Sequence, residues 1–183
     1  FKTINKVGRD VGIKATALPL LVDDNTAVIS SSRIRAALQA GDPESAALML
    51  GRDWAITGRV IKGDKRGRSI GFPTANIALG SLQFPAFGVY AVEVELDEDN
   101  AKVQKIGNGV ANIGIRPTAQ NRGVLCETHL FDRDLDLYDK RLLVRLKAFL
   151  RPEQKFSGIE ELIDQIGLDA EKARQLLPAF HFG

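Results

Sequence analysis

The sequence is poor in the residues that build disulfide or metal-centred scaffolds. Its 183 residues contain one cysteine, Cys126, and two histidines, His129 and His181. A single cysteine excludes an internal disulfide, and these Cys and His side chains are too few for the usual four-ligand structural zinc site. The chain therefore has to fold around an apolar core.

Long apolar runs and a marked excess of one charge are also missing. No segment approaches the ~20 consecutive apolar residues of a membrane-spanning helix, and no basic start precedes an apolar block as in a secretory signal. The 25 basic and 23 acidic residues leave a net charge of +2, which does not by itself indicate a nucleic-acid-binding surface. We therefore expect a cytoplasmic protein without a membrane or nucleic-acid partner.

The sequence does have the composition of a soluble globular domain. It is 44% hydrophobic and 26% charged, and its length corresponds to about one ordinary domain of ~100–200 residues. The chain begins at Phe1 and its only methionine is Met49. We expect it to be part of a longer polypeptide.

Short helices and strand fragments are predicted in the first 51 residues. Residues 1–28 mix brief apolar runs with glycines and turn residues, which favours a short helix or loop followed by strand fragments. A helix is predicted after residues 30–32, three serines that can cap it, and before Gly41. A second helix is predicted between its cap Asp42 and the terminating Gly51.

From Trp54 onwards the apolar pattern changes to a period of two residues. After a first strand at about 54–60, further strands are predicted at 89–96, 103–110, 124–131 and 142–150. Their spacing favours an antiparallel barrel or sandwich. From Ser157 the period becomes helical, with Ser157 and Glu160 as a capping box, and one or two closing helices are predicted.

Residues 62–71, Lys-Gly-Asp-Lys-Arg-Gly-Arg-Ser-Ile-Gly, form a loop rich in glycine and cations. Glycines allow backbone N–H groups to approach phosphate oxygens, and Lys and Arg offset the phosphate charge. Taken alone, such a composition more often belongs to a solvated turn. The loop is therefore a candidate phosphate site that depends on its surroundings.

The loop continues into Pro73-Thr74-Ala75-Asn76, which places a hydroxyl and an amide oxygen two residues apart. Oxygen donors suit Mg²⁺, which proteins hold with few ligands and which phosphates and water complete. The alternative is a Pro-Thr turn in which Asn76 bonds its own backbone.

The predicted strand 124–131 carries three side chains with chemical potential. Glu127 and His129 share one face, where a carboxylate is a candidate general base if the face is buried and a surface charge if it is exposed. His129 lacks an identified acid or serine partner, so a structural or orienting role is expected. Cys126 lies on the opposite face and is predicted to be a core residue.

A series of short blocks follows in one order along residues 52–177, at 58–67, 71–76, 88–90, 112–118, 127–129, 136–138 and 150–153. Together these blocks resemble the riboflavin kinase module of the bacterial bifunctional riboflavin kinase/FMN adenylyltransferase (FAD synthetase) family. Residues 29–35 resemble the late ATP-phosphate motif of the adenylyltransferase domain, with Ser30, Ser31, Ser32 and Arg33 as its polar residues. The early His-x-Gly-His motif of that domain is absent from the sequence.

The resemblance implies a domain organisation and a mainly β fold. Residues 1–51 would be a C-terminal remnant of the FMN adenylyltransferase domain, a short α/β piece of a nucleotide-binding domain. Residues 52–183 would form the riboflavin kinase domain, a six-stranded antiparallel Greek-key barrel with C-terminal helices. The implied reaction moves the γ-phosphoryl group of ATP to the 5′-hydroxyl of riboflavin, giving FMN and ADP with Mg²⁺.

The resemblance also assigns candidate site residues. Thr74 and Asn76 would bind Mg²⁺, and Glu127 would be the catalytic base. The implied ATP-binding residues are Gly63, Lys65, Arg66, Gly67, Arg68, Leu130, Asp132 and Tyr138. The implied flavin-binding residues are Arg151, Gln154 and Phe156. Two positions depart from the family pattern: Arg133 stands where an aromatic residue often follows the aspartate, and Asp139 stands where glycine often follows Tyr138.

Three other functions compete with this hypothesis. One is a complete FAD synthetase of which this chain is a fragment. Another is a nucleic-acid-binding β-barrel module, which would require exposed aromatics interleaved with basic residues. The third is a non-catalytic flavin carrier, against which the presence of Thr74, Asn76 and Glu127 argues.

Overall fold

The computed structural model describes residues 2–63, 66–98, 102–115 and 123–179. The chain divides into two compact units, Phe1–Ser30 and Ser31–Gly183. The predicted boundary after residue 51 is of a different kind, because it separates residues that resemble two different family domains. It stays a prediction.

The first unit contains one helix followed by extended chain. Helix α1 spans Lys2–Asp10, and a single antiparallel bridge joins Val22 to Val28. The Asp23 carboxylate closes the turn between them by accepting the N–H groups of Asn25 and Ala27.

The second unit opens with the two predicted helices, α2 (Ser31–Gln39) and α3 (Pro43–Leu50). The predicted caps of α3 are confirmed, since the Asp42 carboxylate accepts the Ser45 N–H at 2.8 Å and Gly51 adopts a left-handed φ of 68°. Leu38 of α2 is 2% exposed, and its carbonyl accepts the N–H of Ala86. The helix pair is thereby anchored to the chain that enters the barrel.

Six antiparallel strands form the barrel predicted from the resemblance. They are β1 (Ala55–Arg59), β2 (Ala75–Ala78), β3 (Gly88–Glu98), β4 (Lys102–Ile115), β5 (Val124–Leu130) and β6 (Arg141–Pro152). The sheet order β1-β6-β3-β4-β5-β2 places β6 beside β3, which is the Greek-key arrangement for β3 to β6. The two edge strands meet where the Ile61 N–H donates to the Asn76 carbonyl at 2.9 Å. The barrel is therefore nearly closed.

The barrel interior is filled by alternate residues of all six strands. Ile56, Ile77, Tyr90, Ile113 and Leu142 are fully buried there. Cys126 lies in the same core, as predicted, and burial raises the pKa of its thiol to about 12. The thiol is therefore protonated and packs as a small apolar side chain.

The outer face of the barrel is partly covered by one C-terminal helix, α5 (Ile159–Leu176). A second apolar cluster joins β3, β4 and β6 to α5 through Val89, Val110, Leu150 and Ala173. Glu127 and His129 point to this outer face and are half-buried. The environment of Glu127 thus lies between the two sequence-based alternatives, a buried base and a surface charge.

Two local predictions require correction. The period-two pattern predicted no strand between residues 60 and 89, but residues 75–78 form the short edge strand β2 and pair with β5. The predicted capping pair of Ser157 and Glu160 is also wrong, because both the N–H and the hydroxyl of Ser157 donate to the Glu161 carboxylate. A carboxylate four residues ahead reaches back to Ser157 because the helix begins only at Ile159. No helix among the described residues is long and apolar enough to cross a membrane.

Candidate active site

Two cavities adjoin each other on the barrel surface, and Thr74 borders both. The first has a volume of about 410 Å³ and lies among the segments 60–63, 73–76 and 133–138. The second has a volume of about 550 Å³ and lies between the outer face of the barrel and α5. Thr74 could therefore contact a small molecule bound in either cavity.

The first cavity collects four of the predicted ATP-binding residues, Gly63, Arg68, Leu130 and Tyr138. Gly67 borders the second cavity instead, as part of the short helix α4 (Arg66–Ser69). Lys65 lies outside the described residues, and Arg66 is described only as the first residue of α4. Arg68 lies 3.9 Å from the carboxylate of Asp134, but both side chains are largely exposed, so this pair holds the guanidinium weakly.

Asp132 does not line the first cavity. Its carboxylate forms two hydrogen bonds to Arg174 of α5, at 2.7 and 2.9 Å, and these lower the pKa of the Asp132 carboxyl. Arg174 also lies over the ring of Phe131 at 4.2 Å. Asp132 could therefore bind a nucleotide through its side chain only if it also gave up or shared its ion pair with Arg174.

The two departures from the family pattern have different surroundings. Arg133 lines the first cavity. Asp139 adopts a φ of 61°, a left-handed conformation that glycine takes without strain and that aspartate tolerates. Its carbonyl accepts a hydrogen bond from Arg59 at 2.8 Å. The backbone shape thus explains a preference for glycine at this position.

Thr74 and Asn76 lie together at the floor of the first cavity. Asn76 is 5% exposed, and its amide nitrogen lies 3.4 Å from the Thr74 carbonyl, which leaves the amide oxygen as the acceptor of this side chain. A Cβ atom at Gly63 would lie 2.5 Å from that amide nitrogen, so only glycine lets the loop approach Asn76 so closely.

This donor set fits a magnesium ion that shares its coordination with phosphates. The Thr74 hydroxyl and the Asn76 amide oxygen are hard oxygen donors bordering the same cavity as Arg68. Within the described ranges, no cluster of three or more His, Cys, Asp or Glu residues could hold a metal without such help. The residues therefore suit a cation that arrives with a nucleotide.

Glu127 stands in a row of residues that crosses the outer face of the sheet. Strand register pairs Glu127 with Asn76 on β2 and with Asn112 on β4, and Asn112 pairs in turn with Val89. Paired residues of antiparallel strands project from the same face, so the two asparagines flank the carboxylate. Glu127 and Asn112 both line the second cavity. Asn112 lies in the 112–118 block of the sequence resemblance, which assigned no role to it.

All three predicted flavin-binding residues, Arg151, Gln154 and Phe156, line the second cavity. Arg151 lies 5.8 Å from the centre of the Phe156 ring and binds the Asp169 carboxylate through Nε at 2.9 Å and through a terminal nitrogen at 2.7 Å. Asp169 is 5% exposed and also accepts a hydrogen bond from Gln165. Asp169 could not be recognised from the sequence, since an acidic residue in an amphipathic helix gives no sign of its partner.

The remaining lining of the second cavity is largely apolar. Val89 and Val110 contribute from the barrel, and Ile159, Leu162 and Ile166 contribute from α5. The last three recur at helical spacing, which is part of the pattern that predicted the helix, and they form one wall of this pocket. A pocket with an apolar wall and a few convergent polar groups is typical of a small-molecule binding site.

His129 connects the two cavities structurally. Its Nδ1 lies 2.9 Å from the Pro73 carbonyl, and the ring contacts Phe72 edge-to-face with 5.3 Å between centroids. His181 and residues 116–118 of the 112–118 block lie outside the described residues. Ser31, Ser32 and Arg33, which together with Ser30 resemble an adenylyltransferase motif, line neither cavity.

The sequence model of the riboflavin kinase (Flavokinase) family matches residues 50–177. The chain belongs to the riboflavin kinase family. This match contains both cavities and the Asn76–Glu127–Asn112 row.

Curated relatives extend the similarity beyond this domain. The chain is 44% identical over 149 residues to the bifunctional riboflavin kinase/FMN adenylyltransferase of Bacillus subtilis, covering 79% of this chain and 45% of the relative. It is 39% identical over 175 residues to the enzyme of the same name from Escherichia coli, covering 96% of this chain and 54% of the relative. The chain spans about half the length of the curated relatives it matches.

A solved structure shares the fold of this riboflavin kinase family member. It is described as a macrolide-efflux protein from Streptococcus pneumoniae, with a TM-score of 0.76 and 31% identity. The superposition covers 93% of this chain and 54% of that protein.

Proposed function

We propose that this chain transfers the γ-phosphoryl group of ATP to the 5′-hydroxyl of riboflavin, producing FMN and ADP. The observation that carries the proposal is the position of Thr74, which borders both cavities and lies two residues before Asn76, the cross-strand partner of Glu127. A candidate metal-ligand pair and a candidate base would thus lie where a nucleotide and a flavin meet.

ATP would occupy the first cavity. Its phosphates would approach Thr74 and Asn76, with the Arg68 guanidinium and the backbone of Gly63 close by. The close contact of Gly63 with Asn76 supports this arrangement because it brings the loop backbone within reach of a phosphate near the metal ligands.

Riboflavin would occupy the second cavity. The isoalloxazine ring would lie against the apolar wall of α5 near Phe156 and Arg151, and the ribityl chain would extend towards Glu127. The volume of about 550 Å³ lies within the range of ordinary small-molecule sites.

The chemistry requires positioning, charge compensation and one proton acceptor. The Glu127 carboxylate would accept the proton of the 5′-hydroxyl of riboflavin. At the same time the 5′-oxygen of riboflavin would form a bond to the γ-phosphorus of ATP. The bond from that phosphorus to the bridging oxygen of ADP breaks, and ADP leaves with the bonding electron pair. Mg²⁺, held by Thr74 and Asn76, would compensate the phosphate charge.

The wider protein is proposed to be a bifunctional FAD synthetase. The names of the curated relatives support this, as does the resemblance of residues 29–35 to an adenylyltransferase motif. Residues 1–51 would then be the end of the adenylyltransferase domain and residues 52–183 the kinase domain, in a cytoplasmic protein that acts on small molecules.

The deciding experiment is incubation of the purified chain with riboflavin, ATP and Mg²⁺, followed by chromatography for FMN. We expect FMN and ADP in equal amounts, and no FMN when Mg²⁺ is chelated. Tight binding of riboflavin without any FMN would instead support a non-catalytic flavin carrier and contradict the proposed function.

A further inference from the structure

His129 ties the segment that carries Thr74 to the strand that carries Glu127. The Pro73 carbonyl, 2.9 Å from His129 Nδ1, can only accept a hydrogen bond, so Nδ1 must carry the ring proton. His129 lies two residues after Glu127 on β5 and shares its outer face. One hydrogen bond thus links the backbone next to Thr74 to the strand that carries Glu127.

The ring of His129 is itself held in place by aromatic neighbours. It contacts Phe72 edge-to-face at 5.3 Å and 77°, and Phe131 at 6.2 Å and 70°. Edge-to-face packing of this kind restricts ring rotation and adds stabilisation beyond simple burial. The donor at Nδ1 is therefore presented to Pro73 in a defined direction.

The segment 72–74 is also attached to α4. The Phe72 N–H donates to the Gly67 carbonyl at 2.8 Å, and a Cβ atom at Gly67 would collide with the Phe72 carbonyl oxygen. The segment therefore lies between two anchors, α4 on one side and His129 on the other. Proline lacks an N–H group, which makes the Pro73 carbonyl the only backbone hydrogen-bonding group of that residue.

We propose that His129 is a positioning residue for phosphoryl transfer. Its Nδ1–H would hold the Pro73 carbonyl and thereby fix the Thr74 hydroxyl relative to the Glu127 carboxylate. The proposal rests on the proposed kinase function, and it assigns no proton transfer to His129. Phosphoryl transfer depends on geometry to an unusual degree, so a small displacement of Thr74 should reduce turnover.

Two substitutions separate the hydrogen bond from the ring packing. His129→Phe keeps an aromatic ring against Phe72 and Phe131 but removes the donor. His129→Asn removes the ring but keeps an N–H donor at the position of Nδ1. We expect His129→Phe to lower kcat by roughly 10–100-fold and to raise the Mg²⁺ concentration needed for half-maximal turnover.

His129 itself borders the second cavity, but His129→Phe keeps an aromatic ring at that position. Riboflavin affinity, followed by fluorescence quenching, should therefore change much less than kcat in this variant. His129→Asn should keep a turnover much closer to that of the unsubstituted chain, even though its melting temperature falls further. A purely structural role would give the opposite order, with turnover following the melting temperature. Equal losses of turnover in the two variants would also overturn the proposal.

A measurement on the unsubstituted chain tests the hydrogen bond directly. Nitrogen-15 NMR of the neutral imidazole should show the proton of His129 on Nδ1, with the signal identified by its absence in His129→Asn. A proton found on Nε2 alone would overturn the role of His129 even in a chain that makes FMN. This NMR measurement also tests the proposal if His129→Phe does not fold. Absence of FMN from the unsubstituted chain would instead contradict the kinase function itself.

Discussion

At the scale of single residues, the row Asn76–Glu127–Asn112 brings three polar side chains of the candidate site together. The central carboxylate is half-buried and lines the second cavity, whereas Asn76 is buried at the floor of the first. Two amides of the same residue type therefore flank one carboxylate and border different cavities. This asymmetry gives each side chain a distinct expected phenotype.

Glu127→Gln should preserve substrate binding and lose most turnover. The amide has nearly the same shape as the carboxylate but is not a useful proton acceptor, so kcat should fall by about 10²–10⁴-fold. Steady-state FMN formation and riboflavin titration measure the two effects. Glu171→Gln, at an exposed position on α5, is the matched control and should behave as the unsubstituted chain. A Glu127→Gln variant with full turnover would remove Glu127 from the proposed mechanism.

Asn76→Ala should weaken ATP·Mg²⁺ binding more than riboflavin binding. Asn76 would supply one of few protein oxygens to the metal, so its loss affects the nucleotide cavity first. Asn112→Ala is the matched comparison because it removes the same side chain from the other flank of Glu127. Calorimetry should show the reverse preference there, with riboflavin affected more. Unchanged ATP·Mg²⁺ affinity in Asn76→Ala would contradict its assignment to the metal.

At the scale of elements, α5 is both the wall of the second cavity and the partner of Arg151. The Arg151–Asp169 pair joins β6 to α5, and its side chains are 17% and 6% exposed. Arg174 makes a second connection, to Asp132 after β5. The helix is thus attached by charged pairs at two of its turns, and the cavity depends on those attachments.

Asp169→Asn should destabilise the fold and weaken riboflavin binding together. The substitution leaves the Arg151 guanidinium largely buried without its counter-charge, which costs about 3–5 kcal/mol of the free energy of unfolding in comparable pairs. Chemical denaturation and riboflavin titration measure the two effects. Asp164→Asn, the same change at an exposed position within the same helix, provides the control and should leave both quantities unchanged.

The glycine- and cation-rich segment should respond to nucleotide more strongly than the barrel does. Its described part contains α4 and ends at Gly71, whose φ is 87°. If phosphates bind there, amide hydrogen exchange in residues 66–71 should slow when ADP·Mg²⁺ is added, and by more than in β6, which its two neighbouring strands already protect.

Exchange with riboflavin alone is the control for this segment, and Arg68→Ala should reduce the effect of the nucleotide because a charge-assisted contact is lost. Identical exchange in residues 66–71 with and without ADP·Mg²⁺ would show a static turn. The phosphate-binding role of these cations would then have to be withdrawn.

At the scale of the whole molecule, the chain carries a riboflavin kinase domain and a shorter preceding segment. Residues 29–35 resemble an adenylyltransferase motif, but the sequence has no His-x-Gly-His segment. A helix N-terminus can hold a phosphate, yet it does not by itself orient a nucleotide and an attacking phosphate. The chain therefore contains the residues proposed for phosphoryl transfer to riboflavin, but it lacks a motif of the adenylyltransferase domain proposed for the second reaction.

The chain should produce FMN and no FAD. Prolonged incubation with FMN, ATP and Mg²⁺, analysed by chromatography against a reaction without enzyme, measures this directly. A parallel incubation with riboflavin shows that the same preparation is active. FAD above the background would mean that these residues suffice for adenylyl transfer, and the assignment of residues 1–51 as a remnant would be wrong.

The sequence by itself determined the features that depend on neighbouring residues along the chain. Period-two alternation located five strands, Asp42 and Gly51 marked the ends of α3, and the parity of Cys126 placed it in the core. The ordered blocks identified the family to which the chain belongs. Such signals are local, because side-chain periodicity and capping act within a few residues.

Only the tertiary structure decided which distant groups meet. Residues 75–78 became a strand because β5 supplies their hydrogen-bonding partners, which overrides the turn preference of Pro73 and Asn76. Asp132 pairs with Arg174, which lies 42 residues away along the chain, and Arg151 pairs with Asp169, which lies 18 residues away. These partners are set by strand order and by the docking of α5. An ion pair depends on the distance between two charged groups in the folded structure, and no local sequence pattern indicates that distance.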